Sequence, residues 1–312
     1  LALAAVPGLG RAQTSDGGAT RIVVGFPPGQ TIDTIARTYA AALSKELGTT
    51  VIVDNRPGAN GILAASEVKR AAPDGKTLFF AGSGPLAINP SLYKHLPYEA
   101  KDFAPVSLIT SGSMVLIATP SFPPNNIAEL VAYAKAHPGQ VNFGSGGQGI
   151  TGHLGMELLQ DALGIKLTHV PYKGSPAALT DLMAGRISMM MEPAATVIPH
   201  IRSGRIKAIG VSSSKRNPAY PEIAPIAEQG VGGFEVTSWA AVVVRAGTPD
   251  TTIAILNAAL QRAAKTPIVV ESLKAAGVDN AVGTPQQLGA FWQSEIKTWA
   301  KAVQRSGVQL DN

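Results

Sequence analysis

Hydrophobic positions along this chain alternate between two periods. Residues 21–26 form a β-branched run that stops at Pro27-Pro28-Gly29, the pattern of a buried strand ended by a turn. From Thr31 the apolar positions Ile32, Ile35, Ala36, Tyr39, Leu43 and Leu47 take helical spacing, and Gly48 closes the helix. Residues 51–53 read as a second strand stopping at Arg56-Pro57-Gly58. Residues 62–71 read as a second helix, and residues 77–81 as a third strand after the turn Pro73-Asp74-Gly75. The order β-α-β-α-β predicts a parallel sheet with right-handed crossovers.

The order then recurs. Residues 115–118 read as a strand, and residues 127–137 as a helix closed by Pro138-Gly139. Residues 141–143 form a strand running into Gly144-Ser145-Gly146-Gly147-Gln148-Gly149, with a helix from 151 to 163 behind it. Residues 167–170, 187–191 and 206–211 read as further strands with helices between them. Residues 234–244 are a long β-rich run, suited to a strand returning to the first unit. The C-terminal region is helical. Thr248-Pro249 and Thr284-Pro285 each set a capping hydroxyl before a proline at the first helical position, and Gln287 completes a capping box with Thr284. Leu288, Phe291, Trp292, Ile296, Trp299 and Val303 make one apolar stripe, the mark of a core-facing helix.

Composition narrows the functional classes. A chain of 312 residues suits two domains. It is 45% hydrophobic and 15% charged, which excludes a disordered tail and a coiled coil. Cysteine is absent, so thiolate metal sites, disulfides and a cysteine nucleophile are excluded. The net charge is +5, but the basic residues are scattered, with only the pairs Lys69-Arg70 and Lys215-Arg216 adjacent. That is no nucleic-acid footprint; a mild positive bias favours the approach of a small anion. No apolar stretch reaches the ~18 residues of a membrane span. Residues 1–12 are apolar and rich in small residues, and read as the remnant of a secretory signal peptide with Gly10 and Ala12 at the small-residue positions.

Gly144, Gly146 and Gly149 satisfy G-x-G-x-x-G between a strand and a helix, as a dinucleotide site would. The acid that should bind a ribose ~20 residues on is missing, because that region reads His169-Val170-Pro171-Tyr172-Lys173. Backbone N–H groups at a helix N-terminus bind an anion equally well, and the turn 26–31 offers a matching helix start in the first unit. Two such turns could hold the two ends of one small acid; ordinary loop chemistry without a ligand is the other reading. Ser83 and Ser145 each sit between glycines, but neither completes G-x-S-x-G. His153 and Glu157 lie four apart on one helix face, which fits a solvated contact better than a metal site. Asp33 and Glu192 place carboxylates at the edges of the two turns, where each would repel a ligand carboxylate unless it faced an amine, a hydroxyl or water.

A series of short motifs runs through the chain: Phe26-Pro27-Pro28-Gly29 with Asp33 and Ile35-Ala36-Arg37, then residues 53–61, Ala72-Pro73-Asp74-Gly75, Asn89-Pro90-Ser91-Leu92-Tyr93, Phe143-Gly144-Ser145-Gly146, Val170-Pro171-Tyr172-Lys173-Gly174 and Pro199-His200-Ile201. In their order and spacing these motifs resemble those of the Bug proteins, solute-binding components of tripartite tricarboxylate transporters. The resemblance implies an α/β, type II periplasmic-binding fold, with two domains joined by two crossing strands around a ligand cleft. It implies one domain from residues 20–115 plus 237–312 and another from 116–236. It implies a monomer exported to the Gram-negative periplasm, with no cofactor, metal or catalytic residue. Such a protein captures a small organic acid by domain closure and delivers it to the membrane permease subunits. The family's ligand is a di- or tricarboxylate, an acidic amino acid or an aromatic carboxylate. Carried over, ligand binding falls to Gly29, Gln30, Thr31 and Asp33 in one domain and Ser145, Gly147, Gln148, Gly149 and Thr151 in the other. Phe26, Ser83, Tyr172 and Glu192 form the walls. Two residues depart from the family pattern: Gln30 stands where a glycine is usual, and Glu192 where aspartate is common. A sensing receptor for a membrane kinase is the alternative function, and an NAD-dependent oxidoreductase a remote one.

Overall fold

The computed structural model describes residues 18–311; the expected signal-peptide remnant at 1–12 lies outside the described residues. The first unit runs β1 (Thr20–Val24), α1 (Thr31–Leu47), β2 (Val51–Asn55), α2 (Ile62–Arg70) and β3 (Thr77–Gly82). β1 pairs in parallel with both β2 and β3, as the alternating pattern predicts. A wide turn of π type over Gly84–Ile88 leads from β3 into the short α3 (Asn89–Leu92).

A strand of 16 residues, β4 (Phe103–Ala118), then crosses the molecule. Behind it come α4 (Ile127–Ala136), β5 (Asn142–Ser145), α5 (Thr151–Leu163), β6 (Thr168–Pro171), α6 (Ser175–Met183), β7 (Met189–Pro193), α7 (Ala194–Arg202) and β8 (Lys207–Val211). The chain returns through β9 (Thr237–Arg245) and ends in α8 (Asp250–Ala263), α9 (Pro267–Ala276), β10 (Asp279–Asn280) and α10 (Pro285–Ser306). The strand order is β2-β1-β3-β9-β4-β7-β5-β6, with β8 and β10 also on β4.

β4 joins the two halves of this two-domain α/β fold. Its residues Phe103 to Ser113 pair antiparallel with β9, and Met114 to Ala118 pair with β7 and β8. The partner change falls between Ser113 and Met114. There Ser212 ties both crossings together, because Met114 donates its N–H to the Ser212 hydroxyl and that hydroxyl donates to the Val236 carbonyl. One apolar cluster packs α1, α8 and α9 on one face of the first sheet. A second packs α6 and α7 on the other half. The largest runs through both halves along α2, α5 and α10. Leu288, Trp292, Trp299 and Val303 of the α10 stripe are buried in it, as the spacing predicts. Among the described residues no helix is long and apolar enough to cross a membrane.

Two sequence expectations change. The strand expected at 115–118 begins twelve residues earlier, at Phe103. Pro105 and two register shifts against β9 break the regular alternation that would have marked it. Thr248 does not cap α8: Pro249 occupies the cap position, and the Thr248 hydroxyl donates to the Arg245 carbonyl, closing the preceding turn. The Thr284–Gln287 capping box forms in full.

Candidate functional site

In a parallel sheet, ligands gather outside the carboxyl ends of the strands. Here those ends carry nearly all the candidate residues. Phe26 to Thr31 follow β1, Ser83 follows β3, Ser145 ends β5 and Gly146 to Thr151 follow it, Tyr172 and Ser175 follow β6, and Glu192 lies near the end of β7. The two sets meet where the Ser83 and Thr151 hydroxyls lie 2.9 Å apart, joining the end of β3 to the first residue of α5. Beside that contact Gly149 packs on Leu92 of α3, and any side chain there would run into Leu92.

The first turn is held from beneath. Asp33 is buried, with a relative exposure of 2%. Its Oδ2 accepts the Gly29 N–H at 2.8 Å and the Arg37 Nε–H at 3.0 Å, and its Oδ1 accepts the Asn55 amide at 2.8 Å. Asn55 also donates to the Phe26 carbonyl. Burial pushes the Asp33 carboxyl up, but Arg37, the Gly29 N–H and Asn55 together outweigh it and hold the group below its usual range. Gly29 has φ +86°, which suits glycine. Gln30 and Thr31 stay exposed at the start of α1, and Gln30 makes no side-chain cap. The first-turn N–H groups of α1 therefore point outward without a side-chain acceptor, with the helix dipole behind them.

The second turn repeats this construction. The Gly149 N–H donates to His153 Nδ1 at 3.1 Å, four residues on, as the Gly29 N–H does to Asp33. Gly149 is also left-handed, at φ +75°, and Ile150 offers α5 no side-chain cap. Because His153 Nδ1 accepts, its proton sits on Nε2, which faces Glu157 at 3.5 Å. This pair is buried at His153, so it is no solvated contact. His169 stacks on His153 at a centroid distance of 3.8 Å and on Phe143 at 4.8 Å. Burial, and then the neighbouring His153, press His169 down to about 4, so it is neutral at pH 7. The Ser145 hydroxyl donates to the Gly147 carbonyl at 2.8 Å and accepts from His169 Nε2 at 2.7 Å. The two imidazoles thus pin the turn at both ends. Gly147 has φ +151°, a Cβ there would touch the Tyr172 carbonyl at 3.6 Å, and Gln148 is exposed.

Glu192 is buried, and its Oε1 accepts the Ser175 hydroxyl at 2.8 Å. Burial pushes its carboxyl up to about 7, against a smaller pull from Ser175. The Tyr172 ring lies against Gly144, and its hydroxyl donates to Asp181 of α6 at 2.8 Å, where Arg186 also binds. The structure therefore brings Ser83, Ser145, Gly147, Gly149, Thr151 and Glu192 around one strand-end region, while Asp33 serves as the scaffold of the Gly29 turn. Sequence reasoning missed Asn55, Ser175 and the turn-holding roles of His153 and His169. The shared spacing Gly29-x-Thr31-x-Asp33 and Gly149-x-Thr151-x-His153 was the available signal.

The sequence model of the tripartite tricarboxylate transporter family receptor, TctC, matches residues 35–308. Protein BugT of Bordetella pertussis is 36% identical over 292 residues, covering 93% of this chain and 90% of that protein. Among solved structures, Rpa4515 of R. palustris with adipate superposes with a TM-score of 0.82 at 33% identity, covering 94% of this chain and 98% of that one. MatC (Rpa3494) of Rhodopseudomonas palustris with bound malate gives 0.78 at 32% identity, covering 91% and 99%.

Proposed function

This chain belongs to the TctC family of tripartite tricarboxylate transporter receptors, periplasmic solute-binding proteins also known as Bug proteins, and we propose that it captures a small dicarboxylate between its two glycine turns. One observation carries the reading. Two helices, one per half of the molecule, start without side-chain caps behind left-handed glycines whose own N–H groups are tied back to the scaffold. Each helix start offers aligned N–H donors and a positive dipole end to one carboxylate. The Ser83–Thr151 contact joins the two halves beside them. The adipate and malate held by the two solved relatives support a ligand with two carboxylates.

In this reading no bond is made or broken. The acid enters between the halves, the turns close on its ends, and bending at the Ser113–Met114 partner change of β4 carries the motion. Gln30, Gln148 and the Ser83–Thr151 pair face what lies between the carboxylates. The closed form is then recognised by the transporter's membrane subunits.

The test is calorimetric titration of protein stripped of ligand by unfolding and refolding. The panel is adipate, malate, succinate, citrate, aspartate and benzoate. Saturable binding of a dicarboxylate, with melting raised by several degrees at about 100 times Kd, is the expected result. Binding only of benzoate, or of none, overturns the dicarboxylate assignment.

A further inference from the structure

We propose that Glu192 couples capture to proton uptake: a dicarboxylate dianion binds with the Glu192 carboxyl neutral and donating its proton to the ligand. The inference deepens the dicarboxylate reading above and rests on it. Glu192 is 4% exposed on β7. Its Oε1 lies 3.8 Å from where a Cβ on Gly152 would sit, beside the first turn of α5. A Cβ on Gly146 would come within 2.7 Å of the Ser175 N and Oγ, so Ser175 fills the gap between the glycine turn and Glu192. The carboxyl thus sits among the groups that would receive a ligand carboxylate, with Ser175 already donating to one of its oxygens.

No cation on the surrounding elements answers its charge. β7 packs against β4, β5, α5, α6 and α7. β4 and β5 carry no charged residue. On α5, His153 and Glu157 pair with each other and Asp161 pairs with Arg305. On α6, Asp181 is held by Tyr172 and Arg186. On α7, Arg202 donates to the Ala219 carbonyl, and His200 lies in the last turn, away from Glu192 at the other end of that helix. Lys173, before α6, is exposed. A ligand carboxylate would therefore meet Glu192 as a like charge in a desolvated pocket, where two carboxyl groups hold one proton between them. Burial already lifts Glu192 to about 7, so the proton is taken from water at little cost near neutral pH. It returns to water when the ligand leaves. A neutral carboxyl offers one O–H donor, which converts repulsion into a hydrogen bond.

The experiment is titration of the full chain with each acid of the panel at pH 6, 7 and 8.5, in phosphate and in Tris, whose ionisation heats differ. Wild type should take up about half a proton at pH 7 and close to one at pH 8.5. Its apparent Kd should rise about tenfold per pH unit above ~7.5. The reading at pH 8.5 is decisive, because every acid of the panel is fully ionised there. Glu192→Gln, checked for an intact thermal transition, should lose both the uptake and the pH dependence. Ser175→Ala removes a hydrogen bond that favours the ionised form, so its steep region should move to higher pH. Binding without uptake, uptake retained in Glu192→Gln, or proton release overturns the coupling alone. No binding of any acid at any pH removes the dicarboxylate reading, and the coupling with it.

Discussion

Replacing Asp33 by asparagine tests whether the first turn is held as the structure indicates. All three partners of this carboxylate are donors: the Gly29 N–H, the Arg37 Nε–H and the Asn55 amide. Asparagine keeps one acceptor oxygen, so its amide N–H must face a donor whichever way the group is turned. Arg37 is half exposed, and its ion pair is discounted for screening to about 0–1 kcal/mol. The loss of one charged hydrogen bond to Gly29 or Asn55, at about 1.5–3 kcal/mol, then dominates, and Asp33→Asn should cost about 2–4 kcal/mol. The pH dependence follows from the depressed carboxyl. Its stabilisation is fully present above the unfolded-state value near 3.8 and is lost as pH falls through the lower folded-state value. The gap between wild type and Asp33→Asn should therefore be constant from pH 7 to about pH 5 and close below pH 4. Urea unfolding at pH 7, 5 and 3.5 measures it. Equal stability at pH 7, or a gap that persists unchanged at pH 3.5, would refute the reasoning.

Substitutions at three further positions probe separate links. His169→Phe keeps the stack on His153 and Phe143 but removes the donor to Ser145, and should cost about 0.5–1.5 kcal/mol in urea unfolding and weaken adipate or malate binding several-fold; an unchanged Kd would detach His169 from the site. Glu295 accepts the indole N–H of both Trp239 and Trp299 on one oxygen, and burial raises its carboxyl. Glu295→Gln keeps that acceptor and removes the buried charge, so it should gain on wild type as pH rises from 4 to 7, whereas Glu295→Leu should lose about 2–4 kcal/mol; parallel pH profiles of the wild type and the glutamine variant would count against this. Thr284→Ala removes half of the capping box and should lower stability by about 1 kcal/mol, with a melting point equal to wild type as the contrary result.

Much of the fold was legible because its local signals agree with its packing. The helix over Thr31–Leu47 has one apolar face and a glycine stop, and its limits are those the spacing predicts. The helix over Thr151–Leu163 behaves likewise. The first half of β4 was illegible because its alternation is broken by Pro105 and by two bulges, features that a crossing strand needs to bend and a periodicity count cannot see. Within the site, the glycines announced themselves through composition. Asn55, Ser175 and His169 did not, because each acts across 22 to 29 residues of sequence or through one hydroxyl, and only the pairing of β5 with β6 brings His169 beside Ser145. Tyr172 illustrates the converse: its place in a recognisable motif said nothing about its hydroxyl turning to Asp181.

The paired turns explain how a site without a fixed cation can be ready for a dianion. Gly29 and Gly149 each spend their N–H on a side chain four residues ahead, and so give up a donor a ligand could have used. The return is rigidity: the left-handed glycine is locked, and the uncapped first-turn N–H groups of α1 and α5 are aimed before any ligand arrives. Asp33 and His153 fill the same place and each accepts a glycine N–H; Asp33 is paired with Arg37, and the His153 Nε2 faces Glu157. Charge is cancelled beneath the first turn, and above both turns the helix dipoles and N–H groups supply a positive field. In such a field one buried carboxyl is decisive. Glu192 is a buried carboxyl beside the second turn with no ion pair among the described residues, and its protonation therefore sets whether that turn meets a carboxylate with a donor or with a like charge.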